Sequence, residues 1–388
     1  MSAGNPFRWA CGVMAVAVAA AIMVAAWAED RAPAQIEKME PVKSQHVKEV
    51  SAILNDLKVE SPRKHKNMVV FPIRWGGKQA PGDWLTLDES LAAGQLKVLE
   101  KDQASVQEVR VENMSDKTVF LMSGEVIGGG QQTRVVRKDT VVEARQKVTV
   151  PVFCVEQHRW SGGKDFGRAK VQAPASMVDS VNRGAGQGEV WRQVERTAAP
   201  AGARSATESL EEKVNSAPVQ RDLKDAREGL GKFSPPDTIG IAVADARTGR
   251  VVGLELFGRR DLFEKLQVKL VEGYTLDLVV NRGEDADKGD LKDVTEKDVE
   301  AFIKRAQEGE SKYEDTPGSG RGIDLVSGTL KGKGVAVSEN VIHLSTQDVR
   351  PVPVPAKPIV GDEPPAPTPR PPRVAPMPYP MPAPERDR

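Results

Sequence analysis

Apolar and polar positions repeat along this chain at two periods, and the switches between them mark its elements. Residues 68–73 form an apolar run of strand length. Thr86 then stands as an N-cap with Glu89 three residues on, a capping box. Leu87 and Leu91 give the following short helix one apolar face, and Gly94 supplies its stop. A β-rich stretch comes next, with strands expected over 106–112 and 118–122 across a turn at 113–117. Further strands are expected over 134–137, 140–143 and 147–155. The last alternates, Val148, Val150, Val152 and Cys154 on one face, Thr149, Phe153 and Val155 on the other.

Beyond Trp160 the pattern turns helical and charged. Helices are expected over 189–197, 205–214 and 221–230, then strands over 239–244 and 251–256 joined by a turn at 245–249. A helix carries Leu262, Phe263, Leu266 and Leu270. Another starts at Thr295, with Val299, Phe302, Ile303 and Ala306 at helical spacing. Strands at 334–337 and 341–344 close the pattern. The fold class this predicts is α+β: a mixed, largely antiparallel β-sheet, sandwich- or barrel-like, with inserted helices. No internal repeat is visible.

The two ends differ from the middle. Arg8, the apolar run 10–26 and the small-x-small motif Ala26-Trp27-Ala28 read as a signal peptide over 1–28, cleaved near Ala28, with an uncleaved membrane anchor as the alternative. A charged leader follows over 29–66. Residues 348–388 hold 15 of the 28 prolines between Pro351 and Pro384, so this stretch is expected to be a disordered, polyproline-like spacer or a docking strip. Between lies one α+β domain, 67–347, with two lobes, 67–175 and 176–347, as an option. Its roughly 280 residues suffice for a real core. No segment after the signal can span a bilayer.

Composition narrows the chemistry. Lys and Arg number 55, as do Asp and Glu, so nucleic acid is not an expected partner. After signal removal Cys154 is the sole cysteine and an internal disulfide is impossible. The four histidines, His46, His65, His158 and His343, make no zinc-like spacing with cysteine, and no metal or cofactor is expected. His343, in a closing strand, is read as structural.

Candidate chemistry concentrates in two blocks, 123–134 and 151–160. Gly128, Gly129 and Gly130 permit positive φ and close approach, suiting a wide turn or bulge, or a cradle for an anion. The loop lacks the Lys-Ser/Thr of a P-loop. Gln131, Arg134 and Arg159 are candidate ligand contacts. The arginines suit carboxylate or phosphate, or else pair with Glu125 and Glu156 in a buried network. Glu125 and Glu156 are the candidate general acid and base. Cys154, Glu156 and His158 alternate, which permits a metal site or a cysteine nucleophile, although an inert cysteine in a valine-rich strand is the simpler reading. Trp160 caps the core or stacks on a ring.

These residues also carry a resemblance. The chain resembles the ARG and rhodanese-phosphatase-superfamily-associated protein domains through Leu87, Glu89, Gly94, Gly124, Glu125, Gly128, Gln131 and Arg134, then Val152, Cys154, Val155, Glu156, Arg159 and Trp160. Val190-Trp191, Phe257, Tyr274 and residues 341–344 extend it to about 68–346. The chain departs from the family pattern across Gln131 to Arg134. The small residue common in the family near His158 argues against a metal ligand there. The resemblance implies association with ADP-ribosylglycohydrolases and phosphatases but no assigned activity. Three functional readings are open. The favoured one is an exported, non-catalytic module binding a small anionic ligand or an envelope protein partner. The second is a hydrolase-like enzyme acting on an ADP-ribosyl or phosphorylated substrate through Glu125 or Glu156. The third is a structural cluster with no ligand.

Overall fold

The structure, a computed structural model, describes residues 46–101, 107–233, 235–286 and 288–349. The expected signal peptide, most of the leader, Val106 and residues 350–388 lie outside them. In chain order the elements are α1 (Lys48–Leu54), β1 (Leu57–Val59), β2 (Arg63–His65), β3 (Met68–Trp75), β4 (Trp84–Thr86), α2 (Leu87–Ala92), β5 (Leu96–Glu100), β6 (Glu108–Asn113), β7 (Thr118–Leu121), β8 (Glu125–Gly129), β9 (Arg134–Val136), β10 (Thr140–Val142), β11 (Lys147–Cys154) and β12 (Asp165–Gln172). Then follow α3 (Ala175–Asn182), α4 (Gln187–Arg196), α5 (Leu210–Val214), α6 (Ala217–Leu230), β13 (Thr238–Asp245), β14 (Arg250–Phe257), α7 (Arg260–Leu278), α8 (Glu296–Gln307), β15 (Glu310–Glu314), β16 (Arg321–Ser327), β17 (Leu330–Val337) and β18 (Asn340–Asp348).

The first part of the chain closes into a six-stranded antiparallel barrel, in the order β11, β6, β5, β12, β8, β9. Closure leaves no unpaired edge. Val98, Val111, Val150 and Val152 belong to its apolar cluster. Phe153 and Val155, on the opposite face of the same run, pack instead against the helices α3 to α6. The alternation in residues 148–155 therefore serves two cores rather than a core and solvent. A small sheet, β10–β7–β4, adjoins the barrel, and its β4–β7 pairing is parallel.

Nine strands build an antiparallel sheet in the order β1, β3, β13, β14, β18, β17, β16, β15, with β2 also paired to β3. Every residue of β13 is buried. Its Ile241 and Val243 face the cluster containing α7, while Ala242 and Ala244 face that of α1 and α8. A strand covered on both sides reads as a continuous apolar run for this reason. On α7, Leu262, Leu266, Leu270, Tyr274 and Leu278 repeat at i, i+4 and lie on the sheet. Burying each such side chain contributes roughly 1.5–3 kcal/mol.

The capping signals are realised. The Thr86 side chain accepts from the Glu89 N–H, and Glu89 answers the Thr86 N–H at 2.9 Å. Thr295 and Asp298 make the same box at the start of α8. Gly94 takes φ +65° just past α2, a conformation glycine adopts freely. Three expectations shift. Residues 48–65, assigned to the leader, form α1, β1 and β2. Residues 165–172, expected to be helical and charged, form β12 of the barrel. The helix expected over 205–214 is confined to Leu210–Val214.

Candidate functional site

The glycine block is strand. β8 runs through Gly128 and Gly129, pairing them with Gly167 and Phe166 of β12. Gly129 and Gly130 adopt φ +96° and +54°. A methyl group on Gly130 would fall 2.3 Å from the Phe166 ring, and one on Gly128 would fall 2.7 Å from the Glu211 carboxylate. The Gly130 N–H donates to the Asp165 carbonyl at 3.0 Å. The glycines here admit protein atoms at close range.

Glu125, at the head of β8, is fully buried. One oxygen accepts from the Met122 N–H at 2.8 Å and the other lies 2.5 Å from Lys269 Nζ, on α7. The same ammonium reaches Asp88 at 3.1 Å. Burial pushes the Glu125 carboxyl upward while Lys269 opposes it. Burial also works against the Lys269 charge, but Glu125 and Asp88 outweigh it and hold its pKa up. The side chain thus ties the barrel to α7.

Glu156 lies just past β11, its backbone bridged to Ser209. One oxygen accepts from Arg159 Nε at 2.9 Å and Thr207 Oγ1 at 2.9 Å. The other accepts from Arg159 Nη2 at 2.7 Å and from the Thr133 N–H and hydroxyl, each at 3.0 Å. Burial works upward on this carboxyl, yet these donors bring its pKa below the usual value. Arg159 spends its other donors on the carbonyls of Gly129, Gly130 and Ser161. It therefore staples the glycine turn to the end of β11.

Arg134 is fully buried and donates to the Gln132 carbonyl at 2.9 Å, with Glu100 at 3.5 Å. Its Nε, Glu100 Oε2 and Gln131 Oε1 are buried and find no partner among the described residues. Cys154 is buried, its thiol donating to the Glu156 carbonyl at 2.8 Å, and burial pushes its pKa up. The strand ends at Cys154, so the Cys154–Glu156–His158 alternation breaks and His158 points to solvent. Trp160 is 54% exposed. Among the described residues no three His, Cys, Asp or Glu side chains are arranged to hold a metal.

A second constellation lies elsewhere. Strand pairing sets Glu255 opposite Ser345 and Phe257 opposite His343, so two residues from β14 and two from β18 share a face. Tyr274 descends on it from α7, its hydroxyl donating to Glu255 at 2.7 Å, and Ser345 Oγ donates to the same oxygen at 3.0 Å. Asp139, between β9 and β10, lies 2.7 Å from His343 Nδ1, while Glu255 lies 3.1 Å from Nε2. Phe257 stacks on the imidazole at 4.4 Å. Burial alone would discharge the ring, but the two carboxylates push its pKa up to about 10. His343 is thus an imidazolium with both nitrogens engaged.

This network borders a cleft of about 250 Å³ between β17, β18, α3, α7 and the β9–β10 connection. Ser123 organises one wall. Its N–H donates to Asp139 at 2.8 Å, its hydroxyl to the Arg137 carbonyl at 3.0 Å, and its carbonyl accepts from Gln172 Nε2 at 3.3 Å. Sequence reading brought together Glu156, Arg159 and the glycines. It did not bring in Asp139, Gln172 or Glu255, and it named Tyr274 only as a position of the family resemblance; these groups lie up to 204 positions apart along the chain from those they meet. The available signal was a buried-strand histidine, His343, with a charged residue, Glu255, in an otherwise apolar strand.

The architecture defines a barrel-and-sheet α+β domain with a polar cleft. Residues 56–347 match the model of the ARG and Rhodanese-Phosphatase-superfamily-associated Protein domain, and the chain belongs to that family. No curated protein and no solved structure matches it.

Proposed function

We propose that the protein is an exported, non-catalytic binding module that takes a small ligand into the cleft beside His343. The observation that carries this reading is Gln172. It is only 4% exposed, it borders the cleft, and its Oε1 has no partner among the described residues. A buried amide oxygen without a donor costs about 1–3 kcal/mol, which a ligand donor would relieve. The acid–base alternatives are already engaged: Glu156 accepts five hydrogen-bond contacts, and Glu125 is paired with Lys269. Export rests on the signal-like residues 1–28 alone.

A thermal-shift panel of polyols, organic acids, sugar phosphates, nucleotides, ADP-ribose and NAD tests it. A ligand at 100 times its Kd adds about 2.7 kcal/mol. The shift should vanish in Gln172→Leu. A second reading keeps the ligand at the glycine block and is favoured by the unpartnered atoms of Glu100, Gln131 and Arg134. A shift that survives Gln172→Leu and disappears in Arg134→Ala selects it. No shift with any compound leaves the blocks as structure.

A further inference from the structure

We propose that the cleft selects a small oxyanion, a carboxylate or phosphate that also carries a hydroxyl or amine donor, with Arg137 holding the anion and Gln172 accepting from the donor. This rests on the reading of the cleft as the ligand site.

The cations bordering the cleft differ in what neutralises them. His343 lies between Asp139 and Glu255. Lys333 is held by Glu314 at 2.6 Å and Asp324 at 3.2 Å, and Lys138 reaches Glu314 at 3.4 Å. Arg137 is half-buried and no carboxylate reaches it among the described residues. Its Cζ lies 4.2 Å above the Phe153 ring, and its Nε is buried without a partner. Burial lowers its pKa with no opposing anion, yet an arginine at any such shift stays charged. An unneutralised guanidinium stacked on an aromatic ring is pre-ordered, so little side-chain freedom remains to be lost on binding.

Ser123 ties the Gln172 side chain to the Arg137 backbone, its carbonyl accepting from Gln172 Nε2 and its hydroxyl donating to the Arg137 carbonyl, while the Arg137 guanidinium itself is held by the Phe153 ring. One wall thus offers a cationic fork and an unsatisfied acceptor. An anion alone answers the first, and a donor on the same molecule answers the second. The cleft, about 250 Å³, lies just below the roughly 300–1,000 Å³ of drug-sized pockets, which suits a metabolite of a few carbons. The apolar side chains of Val178, Val181 and Leu270 are also among its lining.

Isothermal calorimetry on the whole chain with glycerol 3-phosphate, glycerate and glycerol tests this. Both anions should bind at least tenfold more tightly than glycerol, whichever oxyanion proves the better. Arg137→Gln should weaken the anions tenfold or more at an unchanged melting temperature, and Arg137→Lys should restore part of the affinity because charge returns without the fork. If Arg137→Gln lowers the melting temperature, Arg137→Lys alone decides, since it keeps a cation for the Phe153 ring. Anion affinity unaffected by both variants overturns the proposal, as does glycerol binding as tightly as the anions. Glycerol binding that depends on Gln172 and is as tight as that of the anions overturns the anion assignment and leaves the binding-module reading standing. Absence of binding by all three probes at millimolar concentration, with no Gln172-dependent shift in the wider panel, overturns both.

Discussion

Asp139 Oδ2 and His343 Nδ1 meet at 2.7 Å, joining the connection that leaves the barrel to the last strand of the large sheet. Glu255 holds the other ring nitrogen, so the imidazolium is clamped from two sides. The folded pKa, about 10, stands above the ordinary 6.5. The contribution is therefore complete below pH 6.5 and is lost as pH rises toward 10. Urea midpoints measured across this window should fall, and His343→Gln should flatten that fall. An NMR titration in which the His343 ring deprotonates near pH 6.5 would contradict the clamp.

Replacing His343 also leaves two buried carboxylates facing each other. His343→Gln should cost roughly 3–5 kcal/mol, the usual penalty for breaking a buried ion pair. Chemical denaturation measures this, and a loss under about 1 kcal/mol would show the charges to be solvated.

The Glu125–Lys269 pair predicts non-additivity. Lys269→Met strands a buried carboxylate and should cost roughly 3–5 kcal/mol, whereas Glu125→Gln combined with Lys269→Met should recover part of the loss. A double-mutant cycle with no coupling between the two positions refutes the link from barrel to α7.

Gly130→Ala tests the packed glycine turn. The new methyl would meet the Phe166 ring at 2.3 Å from a backbone at φ +54°. Overpacking costs typically 1–3 kcal/mol and the left-handed backbone roughly 1–2 more. A variant as stable as the parent would mean that the turn is open enough to admit a ligand.

The Cys154 thiol is buried and its pKa is pushed up. Labelling of Cys154 by a thiol reagent at neutral pH, read by peptide mass so that Cys11 is counted apart, should be negligible until denaturant unfolds the chain. Rapid labelling of Cys154 itself in the native protein would return it to consideration as a nucleophile.

Local signals were legible in the sequence wherever the physics was local. The Thr86–Glu89 box, the i, i+4 repeat on α7 and the buried run of β13 each follow from neighbouring residues. β12 was hidden because it keeps no single alternation: Phe166 joins the barrel cluster, Ala169 and Val171 join the helix-side cluster across a register shift, and the exposed Arg168 and Lys170 between them resemble a charged helix in a short window. Glu156 and Arg159 were legible as partners because three positions separate them. The His343 clamp was not, because strand register and the β9–β10 connection deliver its members from three remote segments.

β18 lies between β14 and β17 in the sheet, although it is the final strand of the described chain. During synthesis Glu255 and Tyr274 therefore emerge well before the imidazole and hydroxyl that complete their network. Strands β15 to β17 have no route onto β14 until β18 docks between them. A nascent chain halted before residue 340 would expose the open edge of β14, a template for pairing with other chains. The last of the described strands to be made is thus the one that closes both the sheet and the cleft wall, and for that interval the edge of β14 stands open.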